Sequence, residues 1–497
     1  MIRFVTAALS SFFFFFLVYL NEAYPQKDAR KLTLEEAIEI AHSQSPDALN
    51  AKQVFKASFW EYRTFRGTYL PQLGLSATIP NINRSIQKYT NPNGIESFLP
   101  QQYTSYIANL GLTQKIGLTG GTISLNSGLQ RVDNTADSTT TSYLSTPINI
   151  GYTQPFFAFN PFKWERKIEP LKYDQAKRKY LEDCEQISIT ATNYFFTLLQ
   201  AQIEKKIAET NMSNYDTLYK IAKGRYQLGK IAENDLLLLE LNVLKAEAAV
   251  ENANLALDNA SFSLKSFLRI KDTIPIILIP PSNIDYFSVD PKIAVEQANT
   301  NSSSALDFKK RLLEAARDVN QAKMEGRFDA ELSAVFGLTQ SAATLDKAYK
   351  NPLDQQQVSL GLTIPILDWG VARGKIKMAQ SQQEIVKNSV EQDIIDFQRN
   401  IYLKVVQFNM QKKQLMIAAK SDTVAKKTYD VTKGRYLIGK INSILDLNNA
   451  QINTDDAEIS YYQALQTYWR TYFELRKQTL YDFNLNQTIP FDFSVLK

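Results

Sequence analysis

The chain has 497 residues, 44% of them apolar and 22% charged, which is the make-up of a folded protein. Its formal charge of +5 is spread through alternating acidic and basic residues, as in Glu204-Lys205-Lys206 and in Lys309-Lys310-Arg311 followed by Glu314; this marks a solvated helix surface and argues against a nucleic-acid partner. One histidine, His42, and one cysteine, Cys184, exclude a clustered His/Cys metal site and an internal disulfide, and no nucleophile–base pair or glycine-rich nucleotide loop stands out, so catalytic, metal and cofactor sites are all expected to be absent.

Residues 1–23 read as a secretory signal peptide: Arg3, then an apolar run from Phe4 with five consecutive phenylalanines, Phe12 to Phe16, and a small residue at Ala23. The competing reading is a retained anchor, because Phe4 to Leu20 is 17 residues, the short edge of what a bilayer needs. Beyond residue 20 no stretch approaches a membrane-spanning helix, so any crossing must be made by strands. Thr33 and Glu36 form a capping box that opens a helix over 33–66. Strands follow within 72–157. Apolar residues alternate with small or polar ones in Leu73, Leu75, Ala77 and Ile79, in Tyr106, Ala108, Leu110, Leu112, Ile116 and Leu118, in Ile123, Leu125 and Leu129, and in Ile148, Ile150, Tyr152 and Phe156. Gly117 to Gly121 makes a tight turn between two of them.

Long helices are predicted over 160–270. From Ile187 through Ala191, Tyr194, Leu198, Ala201, Ala208, Met212, Tyr215, Tyr219 and Ala222 to Tyr226, apolar residues keep a coiled-coil spacing broken only by Lys205. A helix from Lys163 to Gln227 is roughly 100 Å long at about 1.5 Å per residue, so it must lie against others. Residues 271–290 form an extended connector. Asp290 with Pro291 starts a helix over 291–326; strands lie within 329–367, on Leu332, Ala334, Phe336 and Leu338 and on Val358, Leu360, Leu362, Ile364 and Ile366; long helices fill 370–480, and 481–497 is a tail. Membrane strands and a soluble sandwich with one wet face share this alternation, and the strand pattern alone leaves both open.

The chain repeats itself. At a shift of 257, Ala37, Glu39, Ala41, Ala48-Leu49 and Leu75-Ser76-Ala77 match Ala294, Glu296, Ala298, Ala305-Leu306 and Leu332-Ser333-Ala334. At a shift of 210, Gly151-x-Thr153-x-Pro155 matches Gly361-x-Thr363-x-Pro365. At the same shift Lys223-Gly224-Arg225-Tyr226 with Gly229-Lys230-Ile231 matches Lys433-Gly434-Arg435-Tyr436 with Gly439-Lys440-Ile441. The first half (24–270) thus carries 47 residues more between its outer strands than the second (291–480), either an external hairpin or added strands. Asp235 follows Gly229 by six residues and Asp446 follows Gly439 by seven, so the two turns need not be equivalent.

Leu32-Thr33-Leu34-Glu35-Glu36-Ala37, the strand ends at Pro155 and Pro365, and the two Gly-Arg-Tyr turns followed by Asp235-Leu236 and Asp446-Leu447 resemble the TolC-like outer-membrane efflux proteins over nearly all of the mature chain. The resemblance implies an α+β membrane protein: a homotrimer whose subunits each give four strands to one transmembrane β-barrel, continued by a long α-helical coiled-coil periplasmic tunnel. It implies a passive export conduit of a tripartite efflux or type I secretion system. The partners would be a periplasmic adaptor, an inner-membrane transporter and outer-membrane lipid. Arg225, Tyr226, Gly229, Asp235, Arg435, Tyr436, Gly439 and Asp446 would lie at the periplasmic tip, where such channels meet the adaptor and constrict; the glycines equally suit plain helix ends. The alternative is a periplasmic adaptor or coiled-coil scaffold that never enters the bilayer. A diffusion porin is disfavoured because helices fill well over half of the chain.

Overall fold

A computed structural model describes residues 30–135, 139–271, 274–282, 286–438, 440 and 444–496. The proposed signal segment and Gly439 lie outside the described residues. In chain order the elements are β1 (Arg30–Leu32), α1 (Leu34–Gln44), α2 (Pro46–Gly67), β2 (Gln72–Thr90), β3 (Glu96–Lys115), β4 (Thr122–Asn134), β5 (Thr140–Phe156), α3 (Pro161–Gln227), α4 (Glu233–Phe267), β6 (Ile276–Leu278), α5 (Pro291–Asn301), α6 (Ser303–Glu325), β7 (Asp329–Ala342), β8 (Leu353–Thr363), α7 (Val371–Leu437), α8 (Ile444–Thr479), β9 (Tyr481–Asp482) and β10 (Gln487–Thr488). None of the described helices is long and apolar enough to cross a membrane.

The capping box is formed: Thr33 Oγ1 accepts from the Glu36 N–H and the Glu36 carboxylate accepts from the Thr33 N–H. Two expected helices are each split. The segment 33–66 breaks at Ser45, ahead of Pro46, and 291–326 breaks at Ser302, one repeat shift later. Both serines are buried N-caps, Ser45 Oγ accepting from the Ala48 N–H at 3.1 Å and Ser302 Oγ from the Ala305 N–H at 3.3 Å. Proline biases its predecessor away from helix, which is the local cause at Ser45.

The chain forms two compact units. The first comprises 30–52, 181–298 and 401–490. Here the connector supplies β6, which pairs in parallel with β1. The predicted seam is the core: Ile187, Ala191, Leu198, Ala201, Ala208 and Ala222 are buried, while Tyr226 at its end is exposed. Aromatic rings fill the α7–α8 interface, where Phe408 lies 5.4 Å from Tyr468 and 6.2 Å from Tyr472.

The second unit comprises 53–180, 299–400 and 491–496. It holds one antiparallel sheet of six strands in the order β2-β3-β4-β5-β7-β8. All six alternating segments are strands, but the boundaries move. Ile116 and Leu118 lie in the turn after β3, Ile364 and Ile366 follow the end of β8, and β2 and β3 continue as a hairpin to Thr90 and Glu96. Six strands in one sheet replace the four per subunit that the resemblance implied. The 47-residue excess is β3 and β4, which stand inside the sheet between β2 and β5 rather than flapping from its edge.

The helices of this unit follow the strand order. Tyr62 of α2 stacks on Tyr173 of α3 at 4.7 Å, Trp164 of α3 donates to Asn320 of α6 at 3.3 Å, and Arg311 of α6 pairs with Asp393 of α7 at 2.6 Å. The tail closes an aromatic cluster in which Phe493 lies 5.4 Å from Phe55 and Phe491 5.1 Å from Tyr180.

Candidate functional site

Register decides which side chains share a face of the sheet. One row runs through Leu73, Leu112, Leu125, Ile150, Phe336 and Gln356; the adjacent row on the other face runs through Gly74, Gly111, Asn126, Asn149, Gly337 and Gln355. The apolar face is open in the chain: Leu73 is 68% exposed, Phe336 50% and Leu360 59%. A soluble sandwich would bury such a row.

The opposite face is polar and crowded. A methyl group at Gly111 would meet Asn126 Oδ1 at 2.8 Å, one at Gly128 would meet Asn109 Oδ1 at 2.5 Å, and one at Gly151 would meet Ser124 Oγ at 2.5 Å, so each polar side chain lies over the glycine opposite it. Aromatic rings collect where helices and strands join: Tyr69 with Phe162 at 5.8 Å, Phe157 with Phe328 at 4.7 Å, and Trp369, 88% exposed. They fit the girdle that marks a bilayer interface on membrane strands.

In the first unit both long helices end in the same closure. The Lys230 N–H donates to the Arg225 carbonyl at 2.9 Å, with Gly229 at φ +67°, and the Lys440 N–H donates to the Arg435 carbonyl, also at 2.9 Å. In α3 this i to i+5 bond with the left-handed Gly229 is a Schellman ending, which accounts for the glycine at that position. Asp235 and Asp446 both sit in the first turn of the next helix, where a carboxylate complements the helix dipole; the one-residue difference is taken up before that helix starts.

Beyond the backbone the twins diverge. Tyr436 is 2% exposed and packs with Leu218, Ala222, Leu239, Ile444 and Leu447, whereas its counterpart Tyr226 is 40% exposed. The Arg225 guanidinium lies 5.3 Å from the Tyr436 ring centre and donates to the Leu437 carbonyl at 3.2 Å, tying the end of α3 to the end of α7. Burial pushes the Tyr436 phenol up, opposed by Arg225 and reinforced by Asp235. Arg225, Asp235 and Tyr436 are therefore brought together, while Tyr226, Arg435 and Asp446 face solvent.

Next to this cluster is a polar latch that no motif announced. Tyr215 Oη donates to Asn448 Oδ1 at 2.7 Å, Asn211 donates to Asp455 at 2.7 Å, Gln451 to the same carboxylate at 2.9 Å, and Lys433 to Asn214 at 2.8 Å. The bonds of Tyr215, Asn211 and Asn214 join α3 to α7 and α8, and Gln451 steadies the Asp455 carboxylate from within α8. Burial raises the Asp455 carboxyl above its usual range. The available signal was the polar stripe Asn448, Gln451 and Asp455 at helical spacing along α8. Among the described residues no group of three or more His, Cys, Asp or Glu side chains is arranged to hold a metal ion.

The family model for outer membrane efflux proteins matches residues 122–268 and 300–479, more than half of the chain. The chain belongs to the outer membrane efflux protein family. Solved structures of similar fold include the CmeC outer membrane channel of Campylobacter jejuni, 16% identical with a TM-score of 0.64, the match covering 93% of this chain and 88% of that one. The outer membrane protein VceC of Vibrio cholerae is 13% identical with a TM-score of 0.61, over 90% and 95% of the two chains. No curated protein sequence matches this efflux protein. Family membership gives its class and place: a protein of the outer membrane that acts in efflux. The family match begins at β4, so β2 and β3 lie outside it.

Proposed function

We propose that this efflux protein assembles as a homotrimer whose sheets close into a transmembrane barrel, with the long helices forming the periplasmic tunnel of a tripartite efflux or type I secretion system. The observation that carries the reading is the sheet with one uncovered apolar face and one crowded polar face. In lipid the first is solvated by acyl chains and the second lines an aqueous lumen, and closure removes the sheet edges. A periplasmic scaffold has no use for such a face.

The helical turns form the gated end, where a periplasmic adaptor docks and an inner-membrane transporter supplies the energy. The closed state is held within each chain by Arg225 on Tyr436 and by the Tyr215–Asn448 and Asn211–Asp455 bonds. Opening requires α3 to part from α7 and α8 there, so the mechanism is gating without catalysis. Gly229, Tyr226, Arg435 and Asp446 shape the exposed surface presented to the adaptor. The purified protein in a planar lipid bilayer should give small, steady conductance steps, as a pore constricted at one end does. Well-folded protein that never conducts would refute the reading.

A further inference from the structure

We infer that the sheet closes edge to edge with two further copies of this chain, β8 of one beside β2 of the next, into a single ring of eighteen strands. The inference rests on the channel reading above and adds the strand number and the self-contact surface.

Three observations lead to it. First, β2 and β8 stand at the two ends of the six-stranded sheet. Within a bilayer neither edge can be left with unpaired N–H and C=O groups. Six strands are too few to close on themselves, since single-chain membrane barrels start at about eight, so the edges must meet other strands.

Second, the number of strands is even and every neighbouring pair is antiparallel, so β2 and β8 run in opposite directions. A copy placed head to tail continues the antiparallel alternation. The faces continue too: Ser76 shares the polar face with Asn109, and Ser359 shares it with Ser333 and Thr153. Both serines are the fifth residue in from the helix end of their strands, counted from Gln72 and from Thr363.

Third, the sheet is as wide as the helix row it joins. In this unit α2, α3, α6 and α7 follow one another in the order of the strands they continue, β2, β5, β7 and β8. Six strands about 4.8 Å apart and tilted by roughly 40° span about 38 Å of circumference. Four helices about 10 Å apart span about 40 Å, whereas four strands would span only about 25 Å. With β3 and β4 inside the sheet, a ring of strands joins a ring of helices without a step. An eighteen-stranded barrel is about one and a half times as wide as a twelve-stranded one, since diameter grows roughly linearly with strand number.

Two measurements test this. The first is the mass of the wild-type particle in lipid nanodiscs, with an electron cryo-microscopy map of the same sample in which the strands are counted. Three copies with eighteen strands in the ring is the expected result. Three copies with β3 and β4 outside the ring would overturn the inference and leave the channel reading standing; two copies with twelve strands would overturn the inference and the trimer of that reading, leaving only the closed membrane barrel. A particle of one copy would overturn both. The second is oxidation of Ser76→Cys combined in turn with Gln357→Cys, Ser359→Cys and Gly361→Cys, all in a Cys184→Ser background. One register should give a covalent ladder ending at three chains, with no ladder from Ser76→Cys alone. Absence of cross-linking in all three pairs, in particles whose mass is three chains, would refute the β8–β2 contact.

Discussion

Replacing Arg225 with methionine keeps the aliphatic stem and removes the guanidinium from the Tyr436 ring and the Leu437 carbonyl. The hydrogen bond contributes about 1 kcal/mol and the half-exposed cation–π contact about 0.5–1 kcal/mol. The closed arrangement of each chain should lose about 1.5–2 kcal/mol, roughly a 10- to 30-fold shift toward the open one. Single-channel recording in planar bilayers reads this as the fraction of time spent in high-conductance states. Arg225→Met should raise it at least tenfold, and Arg225→Lys should fall between, since a point charge over the ring survives without the planar fork. Arg435→Met is the control, because Arg435, the counterpart of Arg225 in the second repeat, is exposed. Unchanged occupancy in Arg225→Met, with assembly and melting temperature intact, would show that the Arg225–Tyr436 contact is not a closing element.

Glu185 is buried beside Arg476, 2.9 Å away, and burial pushes its carboxyl up to about 7. A folded-state value above the unfolded one makes its contribution full below about pH 4.5 and lost as pH rises to about 7, a change on the order of 3 kcal/mol per chain; denaturant midpoints followed by circular dichroism should fall across that window and Glu185→Gln should flatten the slope. Ser45→Ala and Ser302→Ala should each cost about 1 kcal/mol as lost N-caps, read as a lower thermal midpoint, with near-additive effects in the double variant. Gly337→Ala places a methyl 2.5 Å from the Ile148 carbonyl oxygen, so it should abolish heat-resistant assembly on gels, whereas Gly111→Ala meets only the movable end of Asn126 and should assemble. Leu360→Arg, on the open apolar face, should cost about 2–4 kcal/mol and lower the yield in outer-membrane fractions, while Gln357→Arg on the polar face should be tolerated; equal behaviour of the two would contradict the lipid-facing assignment.

The sequence by itself determined the element types and the first helix cap, because these depend on residues within a few positions of one another, and the duplication, because it is a match of the chain with itself. Period-two alternation placed all six strands, the 4-3 seam placed the buried face of α3, and the Thr33–Glu36 pair placed a helix start. The paired Gly-Arg-Tyr motifs marked both helix ends, and at the first the left-handed Gly229 that follows is a local demand. Tertiary structure alone decided what depends on partners distant in the chain. That β3 and β4 enter the sheet, rather than hang outside it, follows from pairings with β2 and β5 along their whole lengths. That Tyr436 is buried and Tyr226 exposed follows from which helices flank each turn, a contact set spanning more than 200 residues of sequence. The Asn211–Asp455 and Tyr215–Asn448 bonds were invisible for the same reason: a polar side chain on a helix acquires a role only when a specific acceptor 233 or 244 positions away is packed against it.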